Sequence, residues 1–288
     1  MKVLVVGYGS IGKRHVKNLE SYKGVQIIVF TKQKIKNRGK TIFYNSFHTC
    51  ISEKPDVAII SNVTSKHVET AIKLAKNNID IFIEKPLSDS LKHIKKLSNI
   101  VSKKKLITMI GCNLRFHHAI EKIKEVIDKN QIGKPISCQV ENGSYLPLWH
   151  PDEDYKKSYA SRRELGGGVV LTSIHEIDYL YWIFGKISEV TAITSKISDL
   201  EIKVEDYAAI IAKFKNNFFA EIHLDYYQRP STRSFEIIGT GGKVTWDLGL
   251  NSVRIYKNNT KKWTQKLKLE KHDHNKMYKK ELDHFLKC

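Results

Sequence analysis

Three glycines near the start of the chain have the spacing that binding an anionic ligand requires. Gly7, Gly9 and Gly12 form a G-x-G-x-x-G run with Tyr8, Ser10 and Ile11 between them. An apolar stretch, residues 3–6, leads into the run, and an amphipathic segment with Val16, Leu19 and Tyr22 on one side follows it. In such a strand–turn–helix unit Gly7 permits the turn and Gly9 lets the backbone approach a pyrophosphate. Gly12 allows the helix to pack closely on the strand, while the N–H groups of the helix N-terminus face the anion. In that context the motif points to a dinucleotide site. A second group with chemical potential is Lys85, in Glu84-Lys85-Pro86 directly after another strand, Asp80-Ile-Phe-Ile83. α/β sheets bind ligands outside the carboxyl ends of their strands, and the proline biases Lys85 toward an extended backbone. An ammonium held there can bind a substrate hydroxyl and assist its deprotonation; the alternative is a surface lysine ahead of a helix-starting proline.

Cofactor choice in such folds is made near the end of the second strand, here residues 25–30. A carboxylate there would accept from the adenine-side ribose 2′-OH of NAD, and a cation would accommodate the 2′-phosphate of NADP. This chain places Thr31 and Lys32 there, with Lys34, Lys36, Arg38 and Lys40 beyond them and no carboxylate in between. The reading leans to NADP over NAD, against the alternative of a solvated basic loop.

The elements that must position these residues alternate. Residues 42–44, 56–61, 80–83 and 106–110 read as further strands, and 46–51, 68–77 and 91–101 as helices, which implies a parallel sheet covered on both faces. The strand at 56–61 ends in Asn62, with His67 five residues on. After residue 116 the pattern changes. A helix over 118–128 precedes strands at 135–142, 187–194, 208–214, 218–227, 233–239, 243–247 and 252–256, with Asn216-Asn217, Gly241-Gly242 and Asn258-Asn259 as hairpin turns. A last helix runs from residue 276. The expected domains are 1–113, binding dinucleotide, and 114–288, an α+β domain with a mostly antiparallel open sheet that binds substrate.

Between the first two strands of that second region lies a loop, residues 144–163, rich in Tyr, Trp, His and Arg. Tyr145, Trp149 and Tyr155 offer aromatic faces suited to sugar rings, and Lys156, Arg162 and Arg163 offer partners for carboxylate or phosphate. It either covers an active site or packs on the sheet or across a dimer contact.

Taken together, Gly7-Tyr-Gly-Ser-Ile-Gly12, then Glu84-Lys85-Pro86, then Gly111-Cys-Asn113-Leu-Arg115-Phe116 resemble the N-terminal half of the Gfo/Idh/MocA family of oxidoreductases. The resemblance implies a Rossmann domain in which Gly7, Tyr8, Gly9, Ser10, Ile11, Gly12, Thr31, Lys32, Asn62, His67, Glu84 and Lys85 serve the cofactor. It implies a sugar-type substrate held by Asn113, Arg115, Tyr145, Trp149, Tyr155, Arg162 and Asp178. His175 would otherwise read as a core histidine of the helix at 169–184. In Gly166-Gly167-Gly168…His175…Asp178 it matches the family motif whose histidine faces nicotinamide and substrate, so Lys85 and His175 are the expected catalytic pair. Many family members carry an aspartate three or four residues before that histidine; here Thr172 and Leu171 stand there. Family members also commonly continue past the point where this sequence stops at Cys288.

The implied activity is hydride transfer between NADP or NAD and a hydroxyl or keto carbon of a sugar or nucleotide sugar, as in family members of surface-polysaccharide pathways. The rival is a dinucleotide-sensing or partner-binding protein with the same fold, motivated by the missing aspartate and the early stop. Composition narrows the classes. The 288 residues are 41% hydrophobic and 27% charged, as in ordinary globular proteins. No apolar run reaches the ~20 residues that span a bilayer, and no secretory pattern opens the chain, so no membrane partner and a cytoplasmic location are expected. Cys50, Cys112, Cys138 and Cys288 are scattered, without metal-ligand spacing, so no metal is expected. The formal charge of +19 comes mainly from dispersed lysines, without a nucleic-acid-binding signature. A homodimer or homotetramer through the C-terminal sheet is expected from the resemblance.

Overall fold

The computed structural model describes residues 1–250, 252–268 and 274–288. In chain order it contains β1 (Lys2–Val6), α1 (Ser10–Leu19), β2 (Gln26–Phe30), β3 (Thr41–Tyr44), α2 (Phe47–Ser52), β4 (Val57–Ile60), α3 (His67–Lys76), β5 (Asp80–Glu84), α4 (Ile94–Lys104) and β6 (Thr108–Gly111). These are followed by α5 (His118–Asp128), β7 (Pro135–Gly143), α6 (Val169–Thr172), α7 (Ile174–Phe184), β8 (Ile187–Ser195), β9 (Tyr207–Phe214) and β10 (Phe219–Asp225). The chain ends with β11 (Thr232–Gly239), β12 (Gly242–Asp247), β13 (Ser252–Lys257), β14 (Lys262–Lys268) and α8 (Asn275–Leu286). Two compact units result. One comprises Met1–Cys112, Glu164–Gly166 and Tyr278–Cys288; the other comprises Asn113–Arg163 and Gly167–Met277.

The first unit is built on a six-stranded parallel sheet in the order β3-β2-β1-β4-β5-β6. Its strands are short apolar runs because both faces are buried. Val3 and Val5 of β1 join one core with Leu19, Ile27, Val29 and Phe82, while Leu4 and Val6 join the opposite core with Ile28, Ile60, Ala71, Leu74 and Ile81. Each fully buried Leu or Ile contributes on the order of 1.5–3 kcal/mol. The C-terminal helix α8 belongs to this unit, inserting Leu282 and Phe285 into the first of these cores, with the Phe285 ring 5.6 Å from that of Phe82. Helix α4 begins three residues later than its apolar periodicity predicts. His93 takes a left-handed conformation (φ 64°) as its N-cap, and Leu91 lies exposed before it.

The second unit carries an eight-stranded sheet in the order β14-β13-β12-β11-β7-β10-β9-β8, antiparallel except where β7 runs parallel to β10. One face is covered by helices. Tyr179 of α7 packs 5.1 Å from Phe235, Phe184 stacks 3.8 Å from Phe218, and Ile120, Ile123 and Val126 of α5 are buried. Asn217, with φ 60°, makes the β9–β10 hairpin turn. Strand β14 was not anticipated, because its Lys-Trp-Thr-Gln-Lys-Leu-Lys run is too charged to read as a strand. It forms an exposed sheet edge, where charge is normal, and Trp263 packs on Tyr256 and under the Arg254 guanidinium.

Candidate active site

The glycine turn connects β1 to α1, and each glycine has its own steric reason. Gly7 has φ 100°, and a Cβ there would lie 2.8 Å from the backbone of Ser61 and Asn62. A Cβ on Gly12 would lie 2.2 Å from the Gly7 carbonyl oxygen, so helix and turn touch directly. Gly9 differs: a Cβ there would meet nothing within 4 Å, so its backbone faces open space. Gly9 is also the N-cap of α1 and provides no side-chain cap, which leaves the first helical N–H groups without a side-chain acceptor. Strand-end neighbours fix the turn, since the Gly7 N–H donates to Phe30 O (3.0 Å) and Ser61 Oγ donates to Val6 O and Gly7 O (3.2 Å each). An open backbone concavity at an uncapped helix N-terminus fits a pyrophosphate. Ser10 is exposed and Ile11 half-buried at this opening.

Tyr8 points elsewhere. Its ring is buried edge-on against Phe43 at 5.1 Å. At the end of β2, Thr31 is buried and its Oγ1 accepts from the Gln33 N–H (3.2 Å). The Lys32 ammonium donates to Asn45 O (2.8 Å) and lies 5.5 Å from the Phe30 ring centroid.

Two buried histidines brace the strand ends: His67 lies between the segments that follow β4 and β5, and His15 links α1 to the end of β5. His67 is 1% exposed, with Nδ1 2.8 Å from Pro86 O and Nε2 3.0 Å from Asn62 O. It therefore braces the Glu84-Lys85-Pro86 segment against the loop that underlies Gly7. Burial pushes its pKa below the usual histidine value; the two carbonyls and the nearby Glu84 and Asp89 carboxylates oppose the shift without reversing it. Asn62 Nδ2 donates to Thr70 Oγ1 (3.1 Å). Glu84 is buried and meets Nε2 of His15, on α1, at 2.6 Å. Space for that carboxyl comes from Gly111, opposite Glu84 in the β5–β6 register, where a Cβ would lie 2.8 Å from the Phe82 ring and 3.3 Å from Glu84 Cδ. The Lys85–Pro86 peptide is cis, and Lys85 is partly exposed at the strand's carboxyl end.

In the second unit His175 and Asp178 lie one turn apart on α7. Asp178 receives both Nε and Nη2 of Arg115, at 2.8 and 2.6 Å, and the same guanidinium lies 5.8 Å from the Trp182 ring centroid. That bidentate pair fixes the turn at 113–116 to α7; Asn113 is buried beside it in sequence. His175 is 9% exposed. The three glycines before it each replace a clash. A Cβ on Gly167 would lie 2.4 Å from Tyr159 O, and one on Gly168 2.1 Å from Glu205 Oε1, while Gly166 (φ 83°) packs on Thr64 within the first unit. Thr172 is buried, donating to Gly168 O (2.6 Å) and sharing a short hydrogen bond with the Tyr226 hydroxyl, whose pKa burial pushes well up. The aromatic loop is ordered by short helical turns. Trp149 Nε1 donates to Ser144 Oγ (2.8 Å), Tyr155 OH accepts from the Glu201 N–H (3.2 Å), and the Tyr145 ring lies 4.0 Å from the Arg229 guanidinium. Arg162 is exposed, and its carbonyl accepts from the Gly167 N–H (3.0 Å).

Residues 1–112 match the family model described as "Oxidoreductase family, NAD-binding Rossmann fold", and residues 120–245 match the "GFO/IDH/MocA C-terminal domain" model. The chain belongs to the GFO/IDH/MocA oxidoreductase family. Among curated relatives it is 27% identical over 266 residues to a myo-inositol 2-dehydrogenase of Thermotoga maritima, covering 86% of this chain and 75% of the relative. It is 23% identical to a glucose-6-phosphate 3-dehydrogenase of Bacillus subtilis, covering 89% and 76%. Among solved structures, a levoglucosan dehydrogenase in complex with NADH aligns with TM-score 0.87 over 100% of this chain and 89% of that one; at 17% identity the likeness is one of fold.

Several buried polar residues of this GFO/IDH/MocA family member, each packed within its own unit, escaped the sequence reading. His15 carried a signal, because it falls on the buried stripe of α1 with Gly12, Val16 and Leu19. The fully buried Glu176, paired with Arg233 at 2.8 Å, and Tyr226 carried none, since their partners lie 57 and 54 residues away. Among the described residues no cluster of His, Cys, Asp and Glu is arranged to hold a metal, and no helix is long and apolar enough to cross a membrane.

Proposed function

We propose that this protein is an NAD(P)-dependent dehydrogenase that interconverts a hydroxyl and a keto carbon of a sugar or nucleotide sugar. The observation that carries the reading is the turn at Gly7, Gly9 and Gly12, where two glycines are filled by neighbouring backbone and the third opens an uncapped helix N-terminus to an anion. A bound nicotinamide supplies the hydride acceptor or donor; the chain must supply the proton transfer. Lys85 is our candidate for binding and polarising the substrate hydroxyl, and His175 for exchanging its proton. His67 and the His15–Glu84 pair hold the backbone on either side of Lys85, so the ammonium is presented from a fixed strand end. Asn113, Tyr145, Trp149, Tyr155 and Arg162 are proposed to contact the sugar, with the Arg115–Asp178 clamp holding the helix that carries His175. The names of the relatives, an inositol and a sugar-phosphate dehydrogenase, support a polyol or sugar substrate. The basic run from Lys32 to Lys40, without a carboxylate, supports NADP(H) over NAD(H).

The second reading, a dinucleotide sensor, is favoured by one observation. The Thr172 hydroxyl, near where many relatives of the family carry an aspartate, is committed to Gly168 O and Tyr226. One screen separates the two. The protein is incubated with inositols, sugars, sugar phosphates and nucleotide sugars plus each cofactor, and the absorbance of the reduced nicotinamide is followed. Turnover on a polyol or sugar supports the dehydrogenase; tight dinucleotide binding with no turnover on any of them supports the sensor.

We also propose that copies of this chain associate through the free face of the antiparallel sheet. That face bears Ile193, Ile211, Phe219 and Ile238, each between 41% and 69% exposed, and Ile193 and Ile211 line a concavity of about 680 Å³ on it.

A further inference from the structure

The basic loop between β2 and β3 does not turn all its cations the same way. Lys32, nearest the end of β2, directs its ammonium to the Asn45 carbonyl. Arg38, six residues on, folds back onto the glycine turn, where Nη2 donates to the Tyr8 hydroxyl at 2.8 Å. Tyr8 is the residue between Gly7 and Gly9, so Arg38 is anchored to the turn itself. Two contacts make that anchor rigid: the Tyr8 ring is held edge-on by Phe43, and Gln33 Nε2 donates to the Tyr8 carbonyl at 3.3 Å. Lys13, one residue past Gly12, brings its ammonium to 5.8 Å from the same ring.

Tyr8, Lys13, Lys17, Gln33, Arg38 and Lys40 line a concavity of about 910 Å³ beside the turn. Glu20 is the one carboxylate on its wall, so four cations face one anion there. Lys40 donates to Tyr22 O. Arg38 gives one N–H to Tyr8 and pairs with no carboxylate among the described residues, and a guanidinium carries five N–H donors. A guanidinium fork matches phosphate bidentately, whereas a lysine meets it as a point charge.

We propose that Arg38, held by Tyr8 and supported by Lys13, recognises the 2′-phosphate on the adenine-side ribose of NADP(H), and that Lys32 does not. The proposal rests on the reading of the glycine turn as a dinucleotide site with NADP preference, and it names the residue that makes the choice.

Titration calorimetry on the purified chain tests it, with NADP+, NAD+ and the fragment adenosine 2′,5′-bisphosphate as ligands. The unaltered protein binds NADP+ more tightly than NAD+. Arg38→Ala weakens NADP+ and the bisphosphate by roughly 10- to 100-fold, the range for losing a charge-assisted contact, and leaves NAD+ within about twofold. Arg38→Lys retains part of the preference, and Lys32→Ala leaves all three ligands within about threefold. If Lys32→Ala abolishes the preference and Arg38→Ala does not, the assignment to Arg38 falls while the NADP reading stands. Equal weakening of NAD+ and NADP+ by Arg38→Ala overturns it differently, because Arg38 then acts only through the shape of the turn. Tighter NAD+ binding by the unaltered protein overturns the NADP reading and this proposal together.

Discussion

The two sheets of this protein solve different problems. In the parallel sheet the central strands are four or five residues long with apolar middles buried on both faces, and three of the candidate residues stand just past a carboxyl end: Gly7 after β1, Asn62 after β4, Lys85 after β5. Those strand ends are braced by Ser61, which bonds Gly7 O, and by His67, whose ring sits between Pro86 O and Asn62 O, while His15 of α1 meets Glu84 at the end of β5. In the antiparallel sheet the strands run six to nine residues and alternate, and the edge strand β8 is exposed on both faces. Its candidate catalytic residue comes from a helix, and its substrate candidates come from loops. A doubly covered sheet converts burial into precise strand ends; a singly covered sheet leaves a face that another surface can use.

The comparison breaks most visibly at the glycine turn. Gly12→Val would drive a side chain into the Gly7 carbonyl, where even a Cβ has only 2.2 Å. We expect dinucleotide affinity to fall by more than ~100-fold and stability by on the order of 1–3 kcal/mol, the cost of overpacking a close contact, as read by titration and thermal unfolding. A variant that binds as tightly as the unaltered protein would show that the turn tolerates the shift and is not the pyrophosphate cradle.

Next come the two residues proposed for proton transfer, one from each unit. Lys85→Ala and His175→Ala should each lower kcat by at least ~100-fold, the range for general acid–base groups, while dinucleotide binding stays nearly intact. Near-normal turnover in either would remove that residue from the mechanism, and loss of dinucleotide affinity instead would make its role positional.

What the sequence disclosed follows the same division. Doubly buried strands such as residues 3–6 and 81–83 are legible because burial on both faces demands unbroken apolar runs. Strand β14 is not legible, because an exposed edge sets no such demand and tolerates Lys262, Lys266 and Lys268. The glycines and Lys85 were visible through local spacing. The pairings that hold them were not, because His15 meets Glu84 across 69 residues and His67 meets Pro86 O across 19. The loop at 32–40 shows the limit best: its charge was plain from composition, but the direction of Lys32 and of Arg38 depends on Asn45 and Tyr8, which only the folded chain brings near.

The strand-end network also has a pH signature. His67 is buried and its pKa is lowered in the folded state, so the folded protein resists a proton that the unfolded chain accepts near the ordinary value of 6.5. Its stabilising contribution is therefore complete above about 6.5 and is lost as the pH falls below that value toward the folded pKa. Tm measured from neutral to mildly acid pH should drop more steeply for the unaltered protein than for His67→Asn, whatever the offset between them. Parallel curves would mean that His67 enters the folded state with an unshifted pKa.

The smallest effect on the fold itself is expected at the open sheet. Ile193 and Ile211 sit on neighbouring strands of the uncovered face, where Ile193 pairs with Ala209 and Ile211 with Thr191. They are 69% and 53% exposed, so replacing both by lysine removes almost no intrachain packing. Stability of the folded unit should change by no more than ~0.5 kcal/mol per site, as for surface substitutions elsewhere. The same pair of charges on a buried interface would be costly, since each desolvated ammonium would lack a partner. Sedimentation of the unaltered chain and of the double variant separates the two situations. An oligomer that dissociates in the variant while its thermal unfolding persists assigns the face to self-association. An oligomer that survives both lysines places the contact elsewhere, and the exposed isoleucines are then the ordinary apolar fraction of a solvated surface.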